Sequence, residues 1–159
     1  MSKMKIYLDT NTIVDFFINS TRALKKKEKL VTPAKYQFFV EKAAEIEFVT
    51  SFLTKTEIVR ELISAFNLTK EEIEQLWDTF LKSLNCKYIA KFLLDERLVD
   101  VAMNYRMKLR TVVNFQHLFI AKEEGAYLLT GDKDLVEIVR KNNLYDKIIT
   151  YIELRKMFT

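Results

Sequence analysis

The chain has 159 residues, of which 49% are hydrophobic and 13% aromatic, with a formal charge of +4; that is enough apolar material for one sizeable core and predicts a single domain over 1–159. A lone Cys86 excludes an internal disulfide, and no window approaches the roughly 18 uninterrupted apolar residues of a membrane span. The first residues, Met1 to Lys5, lack the apolar run of a signal peptide, so a cytoplasmic protein without a membrane partner is expected, and the modest positive charge permits a polyanionic one.

In chain order, 5–8 reads as a short buried strand, and Ile13, Val14, Phe16 and Phe17 begin a helix after an Asx-type turn. Arg22, Lys25, Lys26, Lys27 and Lys29 fall in a stretch without a clear apolar period, which predicts a basic loop around 20–33. That loop is either simply solvated or contacts phosphate. Pro33 suits the first turn of a second helix ending near Glu45. A strand over 47–51 and a helix over 56–66 follow. Thr69 and Glu72 form a capping-box pattern opening a long amphipathic helix through Ile73, Trp77, Phe80 and Leu84. A short strand over 87–89, a helix over 96–109 and another over 114–124 come next, the last closed by Gly125. The remaining elements are a buried strand over 126–130, a helix over 133–141, a strand over 148–151 and a terminal helix. Short apolar strands alternating with helices predict a three-layer α/β/α fold around a mainly parallel sheet of about five strands.

Four segments place oxygen-bearing side chains where strands end or helices begin, which is where an open α/β sheet binds ligands. They hold Asp9, Glu57, Asn114 and Asp132. Three carboxylates and an amide at one edge would suit a hard cation such as Mg2+ or Mn2+, since the chain has only one thiol and one imidazole to offer. Each residue also has a local explanation. Asp9 and Asn11 suit the turn after a strand, Glu57 suits a capping box with Thr54, and Asn114 and Asp132 suit helix N-caps. His117, the only histidine, reads as a packed or hydrogen-bonded residue rather than a ligand or base.

In order and spacing these segments resemble the PIN-domain family of metal-dependent ribonucleases, which includes the VapC-like toxins of toxin–antitoxin pairs. The resemblance runs from Asp9-Thr10-Asn11, through Glu57 in Lys55-Thr56-Glu57-Ile58-Val59, to Thr130, Asp132 and Asp134. It departs from the family at Asn114, where an acid usually opens a sequence like Asp-Ala-Leu-His-Leu-Ala and this chain has Asn114-Phe115-Gln116-His117-Leu118-Phe119. An amide oxygen can coordinate Mg2+ but brings no negative charge and is no base.

The resemblance implies hydrolysis of RNA phosphodiesters by a Mg2+- or Mn2+-activated water. Asp9 would be the central ligand, Asp132 and Glu57 would hold the cation and orient water, and Asn114 would be a weakened ligand. Thr10, Asn11, Thr130 and Asp134 would support the ligands or touch phosphate. Arg60 and the basic loop would steer RNA. It further implies a homodimer and an antitoxin protein as partner. The alternative is a degenerate PIN module that binds RNA or a protein without cutting, and Asn114 is its motive.

Overall fold

The structure, a computed structural model, describes residues 3–159, so the expectation drawn from Met1 and Ser2 lies outside the described residues. Five parallel strands form one sheet: β1 (Met4–Leu8), β2 (Ile46–Ser51), β3 (Lys87–Ile89), β4 (Tyr127–Leu129) and β5 (Ile148–Ile149), in the order β3-β2-β1-β4-β5. Every pairing is parallel, with Tyr7 opposite Val49 on one side and Leu128 on the other. Among the described residues eight helices cover it: α1 (Thr10–Lys26), α2 (Ala34–Lys42), α3 (Phe52–Ala65), α4 (Lys70–Leu84), α5 (Arg97–Asn104), α6 (Leu109–Glu123), α7 (Lys133–Lys141) and α8 (Tyr151–Met157). No described helix is long and apolar enough to cross a membrane.

Alternation along the central strand separates two cores. Ile6 and Leu8 of β1 join Phe17, Phe39, Phe48, Leu62, Trp77 and Phe80 on the face of α1 to α4. Tyr7 points the other way, among Phe115, Leu118, Leu128, Leu135 and Val139 of the α6 and α7 face. The two layers of helix on a parallel sheet are the α/β/α architecture expected from the sequence. Because β2 and β3 lie to one side of β1 and β4 and β5 to the other, the chain changes direction between β1 and β4. The carboxyl ends of those strands therefore form a topological switch point, where open α/β sheets hold ligands.

Several boundaries move from their expected places. α1 runs through the basic stretch to Lys26, so the exposed connection is only 27–33. Ala23 and Leu24 carry the helix forward, and Lys25 and Lys26 in its last turn meet the negative end of the helix dipole. Pro33 is the N-cap of α2 rather than part of its first turn, and α2 stops at Lys42. α3 starts at Phe52, capped by Ser51. α5 ends at Asn104, and α6 begins at Leu109, five residues before Asn114. The capping box of Thr69 and Glu72 is formed in both directions, and Gly125 takes the left-handed conformation, φ 65°, after α6.

Candidate active site

Asp9 follows the last residue of β1 and is 2% exposed. It caps α1: Thr12 donates its backbone N–H to Oδ1 at 3.3 Å, while the Thr130 hydroxyl, at the end of β4, donates to Oδ2 at 2.7 Å. The pairing of β1 with β4 brings those groups together across 121 positions of sequence. No lysine or arginine bonds to Asp9 among the described residues. Burial accordingly pushes its carboxyl above the ordinary aspartate range, although the nearby His117 and the Thr130 hydrogen bond pull the other way.

Glu57 lies in the second turn of α3, so it is not the partner of a Thr54 cap; the Thr54 hydroxyl instead donates to Leu8 O at 3.2 Å. Glu57 turns to His117, whose Nε2 lies 2.7 Å from Oε1. The imidazole is 1% exposed, and its Nδ1 lies 2.7 Å from the Tyr7 hydroxyl, which is 2.6 Å from Ser51 Oγ. Burial would raise the Glu57 carboxyl, but the hydrogen bond to His117 and the electrostatic pull of that side chain outweigh it and hold the group below the usual glutamate range. Thr10 Oγ1 stands near enough to favour the ionised form, yet is buried without a well-formed hydrogen bond. Burial in the same place pushes the Tyr7 phenol upward, so the hydroxyl keeps its proton.

Asn114 is also inside its helix, and the N-cap reading fails because α6 is already a turn old there. Its Nδ2 donates to Asp132 Oδ2 at 2.8 Å, and the Thr111 hydroxyl donates to the same oxygen at 3.2 Å. Asp132 Oδ1 accepts from Leu135 N at 3.1 Å as the N-cap of α7. Thr130 Oγ1 receives the Asp132 N–H at 3.1 Å and joins this network to Asp9. With its amide donor directed to Asp132, Asn114 keeps its carbonyl oxygen free of protein partners among the described residues.

A cleft of about 590 Å³ opens over these groups, and Asp9, Thr10, Asn11, Glu57, Arg60 and Asn114 line it. Asp132 sits one hydrogen bond behind Asn114 rather than on that wall. Asp134 points elsewhere, toward Lys108 at 3.9 Å, and lines a separate cleft. Among the residues not anticipated are Arg110, which also lines the cleft, and Thr111. Their only sequence signal is their position one turn before Asn114, in a first turn of α6 that no side chain caps. The His117 contact had a signal too, since His117 falls three residues after Asn114 on the same helix face.

The donor set fits a hard divalent cation in kind. All available donors are oxygens, and a buried carboxylate without a bonded cation is the group whose cost such an ion relieves. In number the set is lean. Among the described residues no three His, Cys, Asp or Glu side chains form a metal-binding cluster, and position 114 offers an amide in place of an acid.

A family model described as PIN domain matches residues 6–141. Comparison with curated proteins finds no match. Among solved structures, the crystal structure of VapBC2 from Rickettsia felis bound to a DNA fragment from their promoter resembles this chain at 16% identity, covering 92% of this chain and 97% of that one, with a TM-score of 0.44.

Proposed function

From the premise that the chain belongs to the PIN domain family, whose members are generally nucleases, we propose that it is a metal-dependent endoribonuclease hydrolysing RNA phosphodiesters. The observation that supports it most is the convergence of Asp9, Glu57 and Asn114 on one cleft at the sheet's switch point. A bound Mg2+ or Mn2+ would supply an activated water and charge neutralisation at the leaving oxygen. Asp9 is the central ligand in this reading. Glu57 offers Oε2, its other oxygen being held by His117, and Asn114 offers its carbonyl. Asp132 Oδ2 already accepts twice, so Asp132 contributes by holding Asn114 and Thr111 and by the remaining lone pair of Oδ1. Thr10, Asn11 and Thr130 steady the ligands or meet phosphate, and Asp134 acts at most on the rim. Arg60 and Arg110 on the cleft wall, with the lysines from Lys25 to Lys29, draw in RNA and make binding salt-dependent.

The same proposal takes residues 1–159 as one domain of a cytoplasmic protein, a homodimer and the toxin of a toxin–antitoxin pair. Leu93, Met103 and Leu109, large apolar side chains left exposed around α5, are where a protein partner would bury surface. A second reading, a PIN module that binds RNA or protein without cutting, is favoured by one observation: the Asn114 amide takes the place of a charge and occupies Asp132. Cleavage of a mixed RNA pool with Mg2+, Mn2+ or EDTA separates the two. Metal-dependent cutting that Asp9→Asn abolishes supports the nuclease. Failure of both the native chain and Asn114→Asp to cut, with RNA still bound, supports the module.

A further inference from the structure

Four side chains from β1, β2, α3 and α6 form one line of hydrogen bonds from the interior to the cleft: Ser51, Tyr7, His117 and Glu57, with links of 2.6, 2.7 and 2.7 Å. The first three are buried. We propose that His117 is a positioning residue for Glu57, and that Tyr7 and Ser51 fix the imidazole so that Nε2–H always points at Glu57 Oε1, leaving Oε2 as the oxygen presented to the cleft. The proposal rests on the reading of that cleft as a cation-dependent site.

Donor and acceptor counting supports the direction. An ionised carboxylate only accepts, so the Nε2 facing Glu57 carries hydrogen. A neutral imidazole must then accept at Nδ1, and the Tyr7 hydroxyl supplies that hydrogen. Tyr7 Oη in turn accepts from the Ser51 hydroxyl, while Ser51 Oγ accepts the Leu53 N–H at 3.2 Å. Ser51, Tyr7 and His117 are each used once in each sense, and Glu57 only accepts. If the imidazole takes a second proton, Nδ1–H donates to Tyr7, Tyr7 donates to Ser51, and the Nε2–H bond is unchanged. The line reverses behind His117 without altering what Glu57 receives. A histidine packed merely to fill space needs neither a phenol on one nitrogen nor a carboxylate reaching from solvent to the other. A partner that orients a metal-binding carboxylate in this way typically affects affinity by about 10- to 100-fold.

The chain's single histidine makes the test direct. Mn2+ affinity of the full metal-free chain is measured by calorimetry for the native protein, His117→Gln, His117→Asn and Tyr7→Phe, alongside 15N spectra of the imidazole. A glutamine amide reaches the place of Nε2 and an asparagine amide the place of Nδ1. His117→Gln is therefore expected to keep most of the affinity and His117→Asn to lose roughly 10-fold or more. The native spectrum should show hydrogen on Nε2, and Tyr7→Phe, nearly isosteric, should mix the tautomers. Equal Mn2+ affinity in folded His117→Gln and His117→Asn, or a native imidazole carrying its hydrogen on Nδ1 alone, overturns the proposal. A native chain that binds no Mn2+ overturns the cation reading of the cleft instead. The tautomer assignment is then decided by the Tyr7→Phe spectrum, mixed tautomers supporting it and an unchanged one overturning it.

Discussion

On the α3 side of the cleft a buried polar line ends in Glu57 with one oxygen left free, whereas on the α6 side a second network ends in Asp132 with both oxygens engaged. Both use hydroxyls and one nitrogen-bearing side chain, and both reach the end of a strand. They differ in what the partner does to the acid. His117 approaches Glu57 from behind and leaves its outer face open, while Asn114 approaches Asp132 from the cleft and stands in front of it. The lesson is that availability of a carboxylate is set by the direction of its hydrogen bonds as much as by its position. Asp9, between the two walls, belongs to both: Thr130 ties it to the Asp132 network, and His117 lies near enough to favour its ionised form from the other.

The largest expected effect is at that shared residue. Asp9→Asn should cost metal-dependent RNA cleavage more than the roughly 100-fold typical of losing a supporting partner, read as kcat/KM. The same change should raise thermal stability in EDTA. Asp9's folded pKa lies above its unfolded value, so the folded state holds more protons between the two. Stability therefore falls as pH rises through that window and stays lower above it. Denaturant melts in EDTA from about pH 3 to 8, a range bracketing the ordinary carboxylate values, should show this slope in the native chain and a flatter one in Asp9→Asn. An unchanged slope would mean that Asp9 ionises in the fold without penalty.

Asn114→Asp should make the two walls alike. In EDTA it exchanges a donor to Asp132 for a second carboxylate and should cost about 1 to 3 kcal/mol. With Mn2+ the loss should be recovered, because ligand binding to the folded state adds stability by mass action. Melting temperatures with and without Mn2+ should therefore diverge more than in the native chain, and equal divergence would remove Asn114 from the ligand set. Thr111→Val tests the Asp132 wall more gently, deleting one of two donors to Oδ2 for about 1 kcal/mol with little change in Mn2+ affinity. The smallest effect belongs outside the cleft. Lys25 meets Glu72 at 2.9 Å on the surface, and Lys25→Ala should leave a melt nearly unchanged, while weakening RNA binding chiefly at low salt.

Much of the frame was readable because local signals agreed with tertiary demand. The Thr69 and Glu72 cap, the Ile73, Trp77, Phe80, Leu84 stripe and Gly125 each specify one outcome. The parallel frame that sets Asp9 beside the end of β4 followed from the alternation of short apolar strands with helices. Helix starts were less legible where no side chain caps them. Lys108 precedes α6 without a capping bond, so Asn114 drew the boundary to itself. Ser51 both ends β2 and caps α3, which placed Glu57 in a first turn it does not occupy. The Tyr7, Ser51, His117 line was unreadable for another reason: its members lie 44 and 110 positions apart, and only the order of strands makes them neighbours.

The sheet is longest in β2 and β1 and tapers to its edges, to three residues in β3 and two in β5. Unpaired backbone along an outer strand is the usual template on which another chain adds itself and aggregation begins. Here that template is almost missing, and Lys87 in β3 puts a charge on what remains. Growth of intermolecular sheet from the native fold therefore has almost no edge from which to start.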